Sequence, residues 1–262
     1  MGPRVKTIVL DRDYLPKLDQ VDATATPEKQ FEATAIRVLA RLYPTCRVFI
    51  FKPTIINDGT GWQPDVALVD KNMGYWFVIE VETASHSIQR HIMPQVLAFR
   101  FGDYGDEVAQ TLSDNLGISF QQAQTVIKHV PRYIAVVSNG DNEEWEASLA
   151  AENVQFISIA GFQDIQGQTA HMVTGTIKPA QKSLCFGTVV ATVQAVRVPQ
   201  TPFWIEGTYR VTDLTGTSNW DCAVHGGFAW LTKRRGILTM DDRTPIQILV
   251  QDDASLLLRP LI

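Results

Sequence analysis

Cysteine is scarce in this chain, which has only three among its 262 residues, at Cys46, Cys185 and Cys222. The number is odd and no two of them form a Cys-x-x-Cys pair. This excludes the disulfide framework of small secreted proteins and a cysteine zinc site. The pattern predicts buried thiols in a reducing compartment, and we therefore expect a cytoplasmic protein.

Long apolar runs are absent as well. The longest, such as residues 75–79, are far too short to cross a bilayer. The first residues, Met1 to Arg4, lack the apolar stretch and cleavage site of a signal peptide. Lys6 stands where a myristoylation motif requires serine or threonine. We therefore expect no association with a membrane.

An excess of basic residues is also missing, since 23 lysines and arginines face 28 acidic residues and the net charge is −5. This balance excludes a protein that coats nucleic acid without specificity, so any such contact must come from local patches. Hydrophobic residues make up 45% of the chain and charged residues 19%. These values are typical of an ordinary globular protein with a substantial core.

The pattern of secondary structure changes near residue 162. Before it, helical and strand patterns mix, whereas after it short strands alternate with Gly, Pro, Asp and Asn. We therefore expect two domains, residues 1–162 and residues 163–262, with the second entirely of β-structure. Its position suggests a role in recognition, regulation or oligomerisation.

The elements predicted before residue 160 begin with a helix. Thr26, Pro27 and Glu28 are typical of a helix start, with Thr26 as the N-cap, and Pro44 ends the helix. Strands follow at 47–52, 64–69 and 75–81, then helices at 87–101, 107–115 and 120–128, a strand at 132–138, a helix at 142–151 and a strand at 154–159. Residues 70–74 predict a hairpin turn, and Ser119 with Gln122 predicts a capping box.

Acidic residues occur where two of these strands would meet. Pro64-Asp65 opens one strand, and the next ends in Glu80-Val81-Glu82. Side chains alternate along a strand, so Glu80 and Glu82 face the same side, and a hairpin brings Asp65 alongside Glu80. Converging carboxylates repel one another unless a cation lies between them, and oxygen ligands favour Mg²⁺ or Mn²⁺ over zinc.

Glu32 in the first helix, Pro64-Asp65 and the Glu80-Val81-Glu82 strand end together resemble the PD-(D/E)XK nuclease superfamily, over about residues 25–160. The resemblance implies an α/β (α+β) fold with a restriction-endonuclease-like αβββαβ core, followed here by the all-β domain. It implies hydrolysis of phosphodiester bonds in nucleic acid, mainly DNA, with Mg²⁺ or Mn²⁺. Asp65 and Glu80 would bind the metal, with the Val81 carbonyl as an extra ligand and Glu32 as a ligand directly or through water.

Position 82 departs from the family pattern because it holds glutamate where the family has lysine. Some restriction endonucleases of the superfamily carry Glu-x-Glu here. The resemblance then implies that Glu82 positions the attacking water, by holding or deprotonating it, or that it adds a ligand to a second metal.

Several further residues are candidates for contact with substrate. Gln95 and Phe99 partly match the Gln-x-x-x-Tyr of RecB-like nucleases, although a packed helix explains them as well. Ser85, which could equally be an N-cap, and His86 follow the strand end directly, whereas His86 and His91 are five residues apart and are not expected to act together as metal ligands. The remaining candidates are basic residues for which simple solvation is the alternative: Arg90, Lys233, Arg234 and Arg235.

Three functional hypotheses remain open at this point. In the first hypothesis, the chain is an active DNA endonuclease of restriction, repair or phage defence, and a homodimer is one expected form. Alternatively it is an inactive nuclease-fold module that binds nucleic acid or protein, which the missing lysine favours. It could also be an effector nuclease that a partner or ligand activates through the β-domain. A glycosidase with paired carboxylates is a more distant option, because the acidic residues crowd one strand end.

Overall fold

The computed structural model describes residues 6–10, 19–22 and 27–261, and the predicted N-cap Thr26 lies outside them. The chain divides into two compact units: the first ends at Lys178, and the second comprises residues from Pro179 onward together with residues 129–131. No helix in the described part of the chain is both long and apolar enough to cross a membrane.

The first unit mixes helices and strands, as predicted. Its strands are β1 (Lys6–Leu10), β2 (Asp19–Gln20), β3 (Cys46–Ile50), β4 (Ile55–Asn57), β5 (Thr60–Trp62), β6 (Val66–Asp70), β7 (Trp76–Glu82), β8 (Arg132–Ser138), β9 (Gln155–Gln163) and β10 (Thr169–Thr174). Its helices are α1 (Glu28–Leu42), a π-helical turn (Ile88–Ile92) that continues into α2 (Met93–Phe101), α3 (Asp106–Leu116), α4 (Phe120–His129) and α5 (Glu143–Ala151).

A central sheet in the order β1-β10-β9-β8-β7-β6-β3 organises this unit, and β2 adds to β9. Strand β6 is antiparallel to both β3 and β7, whereas β8 is parallel to β7 and to β9. Every residue of β6 and β7 is buried, because both faces of the central strands are covered. The apolar stripe of α1 packs on the sheet through Phe31, Ala35, Val38 and Leu39.

Local sequence signals account for several element ends. The predicted capping box is confirmed: the Ser119 backbone N–H donates to the Gln122 side chain at 2.9 Å, and the Gln122 N–H donates to Ser119 Oγ at 3.2 Å. Asn142 caps α5 by accepting from the Trp145 N–H. The hairpin turn between β6 and β7 is also confirmed, with the Asp70 carboxylate accepting from the Gly74 N–H at 3.0 Å.

The helix predicted over residues 87–101 is two elements instead. It begins with the π-helical turn Ile88–Ile92, in which the Met93 N–H donates to the Ile88 carbonyl, five residues back. Pro94 directly follows this turn and is the second residue of α2. The proline thus lies next to the point where π-helical geometry gives way to α-helical geometry.

The second unit is all-β, as predicted. Its strands are β11 (Gln181–Val190), β12 (Ala195–Pro199), β13 (Gly207–Asp213), β14 (Gly216–His225), β15 (Phe228–Lys233), β16 (Pro245–Gln251) and β17 (Leu256–Pro260). They close into a barrel in the order β11-β12-β15-β14-β13-β17-β16, with β16 pairing back to β11. Trp204, Trp220 and the aliphatic residues of these strands fill its interior.

The unit boundary differs from the predicted one. The expected division between residues 162 and 163 falls inside β9, and the first unit continues to Lys178. The reason is that β10 pairs antiparallel with β9 and so extends the first sheet. The change from mixed to strand-rich sequence marks the end of the helices of the first unit. It does not mark the end of that unit, because β10 still joins the first sheet after this point.

Candidate metal centre

Asp65 and Glu80 lie side by side at the junction of β6 and β7. The antiparallel register pairs Val66 with Ile79, which places Asp65 opposite Glu80 one step further along. The Asp65 N–H donates to the Ile79 carbonyl at 3.2 Å, and Asp65 Oδ2 accepts from the Val81 N–H at 2.9 Å. The hairpin therefore brings the two carboxylates together, as the spacing of the motif predicts.

Glu80 is a buried acidic side chain with one oxygen engaged. The residue is 3% exposed, and its Oε1 accepts a hydrogen bond from the Gln95 side chain. Its Oε2 is buried and has no hydrogen-bond partner among the described residues. Burial raises the pKa of Glu80 well above its usual value, and the negative charges of Asp65 and Glu82 raise it further. An unsatisfied buried carboxylate oxygen beside a second carboxylate fits the requirements of a cation ligand.

Asp65 is less buried than Glu80 but is held more firmly. Burial raises its pKa above the usual value, while the Val81 N–H and the Lys52 ammonium group act in the opposite direction. Both carboxyl groups thus take up protons more readily than they would in water. A divalent cation would reverse this, because its charge favours the ionised form of each.

Lys52 supplies a positive charge at this cluster, and the sequence reasoning missed it. Its Nζ lies 2.9 Å from Glu32 Oε2 and 3.0 Å from Asp65 Oδ1. Burial lowers the pKa of Lys52, but the two hydrogen bonds to these carboxylates outweigh it and the pKa is raised overall. Glu32 thus reaches the site through Lys52, which brings the predicted helix glutamate next to Asp65.

The position of Lys52 follows from strand pairing. Residue 52 lies just beyond β3, whose register with β6 pairs Ile50 with Val66, and the Phe51 N–H donates to the Asp65 carbonyl at 2.8 Å. The start of β6 and the end of β3 therefore meet. The family pattern predicts the lysine of the site at position 82. The antiparallel pairing of the first two predicted strands would instead have placed Lys52 next to Asp65.

Glu82 forms a separate cluster with two histidines. Its side chain is 1% exposed, and it contacts His86 through Nδ1 and His91 through Nε2, the latter at 2.8 Å. Burial raises the pKa of Glu82, whereas the contacts with His86 and His91 lower it. The carboxylate predicted to position a water is therefore engaged by imidazole rings.

The expectation that helical spacing keeps His86 and His91 apart is wrong. Their ring centroids lie 4.8 Å apart, and both rings reach the same carboxylate. The expectation assumed one continuous helix, in which residues five apart point in different directions. His86 lies in the turn before the π-helical segment instead, so helical spacing does not set the relation between the two rings.

The other candidate residues are distributed differently. Gln95 contacts Glu80, but Phe99 is fully buried and packs in the core. Ser85 and Arg90 are exposed on the segment that carries the histidines. Ser85 is not a helix cap, because the N-cap position before the π-helical turn is Ser87, which makes no side-chain capping bond.

The three consecutive basic residues of the second unit, Lys233 to Arg235, are not three free cations. The Lys233 side chain is 8% exposed and forms an ion pair with Asp213 at 2.8 Å. Arg234, the residue after β15, pairs with Asp221 of β14, also at 2.8 Å. Arg235 is exposed. Lys233 therefore interacts with an acidic side chain of its own unit and is not simply solvated.

Comparison with known proteins identifies no relative. No family model, no curated protein and no solved structure matches the chain. The functional inference therefore depends on the geometry and chemistry of the site.

Proposed function

We propose that the protein is a metal-dependent nuclease in which Asp65 and Glu80 bind Mg²⁺ or Mn²⁺, with DNA as the first substrate to examine. The observation that carries the proposal is the buried, unpartnered Glu80 Oε2 beside Asp65. The order of elements supports it, since α1 precedes an antiparallel set of strands, helices follow, and β8 returns parallel to β7. This order resembles the αβββαβ core of the PD-(D/E)XK nucleases.

The donor set favours a hard divalent cation. Asp65 and Glu80 offer only carboxylate oxygens as ligand atoms, and hard divalent cations prefer such oxygens to sulfur or imidazole nitrogen. A bound Mg²⁺ or Mn²⁺ would lower the pKa of a coordinated water and stabilise negative charge on the phosphate. The Val81 carbonyl remains the proposed extra ligand that the resemblance implies.

The chain's own residues have distinct roles in this proposal. The Val81 N–H and Lys52 fix the orientation of Asp65, and Gln95 fixes that of Glu80. Lys52 is 44% exposed, so its ammonium group is accessible to a phosphate oxygen of the substrate. Glu32 holds Lys52 in place through the ion pair that they form.

The position of Lys52 also supports a catalytic role for the protein over a purely binding one. The hypothesis of an inactive module rested on the glutamate at position 82, where the family has lysine. An ammonium group nevertheless lies at the carboxylates, from Lys52, two residues beyond the end of β3. We therefore propose that Lys52 supplies the positive charge at the carboxylates that position 82 of this chain lacks.

The test is a cleavage assay with supercoiled plasmid, single-stranded DNA and RNA, each with Mg²⁺, Mn²⁺ or EDTA. Asp65→Asn and Glu80→Gln should each reduce metal-dependent cleavage by about 10²-fold or more, because each removes a charged ligand. Glu144→Gln on α5 is the matched control, since it removes an exposed carboxylate. Cleavage that survives both site changes would contradict the site, and absence of metal-dependent cleavage of all three substrates would contradict the activity.

A further inference from the structure

We propose that Glu82, His86 and His91 form a second metal site, distinct from the Asp65 and Glu80 pair, which binds a transition-metal ion with Zn²⁺ as the preferred occupant. The proposal does not depend on nuclease activity. It concerns a different set of donor atoms, and its test measures metal bound to the protein.

The three donor atoms are close enough to share one ion. One carboxylate oxygen of Glu82, one ring nitrogen of His86 and one ring nitrogen of His91 all lie within 4.8 Å of one another. Ligand atoms around a tetrahedral zinc ion are about 3.3 Å apart, given metal–ligand distances of about 2.0–2.1 Å. Both rings already contact the carboxylate, so only a small outward movement of the imidazoles makes room for the ion.

Burial and exposure are distributed as a metal site with an entry path requires. The Glu82 side chain is 1% exposed, whereas those of His86 and His91 are 36% and 52% exposed. The buried carboxylate forms the floor of the cluster and the imidazoles form its solvent side. Three protein ligands with one open side are the arrangement found in zinc sites that keep a position for water or another ligand.

Hydrogen bonds donated by its backbone N–H groups hold the segment that carries the histidines in place. The Ala84 N–H donates to Asn139 Oδ1 at 2.8 Å, which ties the segment to the end of β8. The His86 N–H donates to the Thr83 carbonyl at 3.1 Å, and the His91 N–H donates to the Ser87 carbonyl at 3.0 Å. Because these bonds fix the backbone of the segment, metal binding has little ordering of the backbone to oppose it.

The donor chemistry separates this cluster from the neighbouring carboxylates. Two imidazole nitrogens and one carboxylate oxygen suit Zn²⁺ and other first-row transition metals, whereas oxygen donors alone suit Mg²⁺. The negative charge of Glu28 also acts on Glu82. A cation at the cluster would offset that repulsion.

The structure also shows what a bound ion would connect. Glu82 is the last residue of β7, and His91 lies in the π-helical turn that leads into α2. An ion held by both would cross-link the end of the strand to the start of the helix. Gln95, which contacts Glu80, lies on that same helix.

The experiment uses the full chain, stripped with a chelator and equilibrated with Zn²⁺, with bound zinc measured by mass spectrometry. All forms carry Asp65→Asn and Glu80→Gln, so that the other carboxylates do not contribute. His91→Gln is the first variant, because its side chain is half exposed and the change leaves the core intact. His225→Gln is the matched control, since it alters a histidine that stacks on Trp230 in the second unit.

The parent, which carries only Asp65→Asn and Glu80→Gln, should bind one equivalent of Zn²⁺. The control with the additional His225→Gln change should do the same. His91→Gln and His86→Gln should weaken binding at least about 100-fold, since removal of a direct ligand exceeds the 10–100-fold loss typical of outer-shell changes. Co²⁺ should give visible absorption in the parent that both variants lose. No zinc bound by the parent, or equal affinity in His91→Gln, would overturn the proposal and leave Glu82 as a carboxylate hydrogen-bonded by two histidines.

Discussion

Replacing Glu80 with glutamine should stabilise the metal-free protein and remove its response to Mg²⁺ or Mn²⁺. Glutamine keeps the shape and the oxygen that accepts from Gln95, but it cannot ionise. Glu80 is 3% exposed, and its pKa in the folded protein is raised, first by burial and then by Asp65 and Glu82. The folded state therefore binds the Glu80 proton more tightly than the unfolded state does.

The sign of the effect follows from this difference. A raised carboxyl pKa contributes stability below the unfolded pKa, and that contribution disappears as pH rises through the folded pKa. Each pH unit between the two values is worth about 1.4 kcal/mol. At neutral pH without metal, Glu80→Gln should therefore raise the free energy of unfolding by about 1–3 kcal/mol.

Hydrogen exchange of the β6 and β7 amides is the suitable assay, because two compact units need not unfold in one transition. In EDTA the variant should exchange more slowly than the wild type. Adding Mn²⁺ should slow exchange in the wild type alone. Glu144→Gln, an exposed change, should differ by less than about 1 kcal/mol. If Glu80→Gln proves less stable than wild type in EDTA, the claim that ionised Glu80 is costly would be refuted.

Three further predictions concern the same unit. Mn²⁺ affinity should increase as pH rises, because Asp65 and Glu80 have raised pKa values and must lose their protons to bind; isothermal titration at two pH values checks this, and a flat profile would contradict it. Lys52→Met should reduce cleavage by about 10²-fold while leaving Mn²⁺ affinity equal or higher, since a competing cation is removed; weaker Mn²⁺ binding would count against the role given to Lys52. Asp70→Ala should destabilise the first unit by about 1–3 kcal/mol, because the Gly74 N–H loses its buried acceptor; hydrogen exchange near the turn measures this, and an unchanged rate would refute it.

The sequence predicts the central elements well where one local signal dominates. The uniformly apolar residues before Glu80 predict a buried strand, and β7 is buried throughout. Strand β8 begins and ends at the predicted residues, and the capping box at Ser119 fixes the start of α4. In each case adjacent residues carry the information, so no distant contact has to be known.

The local hairpin of β4 and β5 was not predicted, and the other missed parts depend on contacts between distant segments or on a change of chain direction. Lys52 reaches Asp65 only because β3 pairs with β6, and the family pattern placed the lysine elsewhere. Strand β10 belongs to the first sheet because it pairs with β9, which composition does not reveal. His86 and His91 meet because His86 lies in the turn before the π-helical segment, and helical spacing does not predict the contact between their rings.

The most direct test of the central claim is the binding of Mn²⁺ to the wild type, Asp65→Asn and Glu80→Gln, followed by electron paramagnetic resonance of the free ion. We expect the wild type to bind Mn²⁺ and each variant to bind it at least about 10-fold more weakly, because each loses a charged ligand. His91→Gln should retain this Mn²⁺ binding, because its side chain belongs to the Glu82 cluster. Equal Mn²⁺ affinity in the wild type and both carboxylate variants would contradict the assignment of Asp65 and Glu80 as metal ligands.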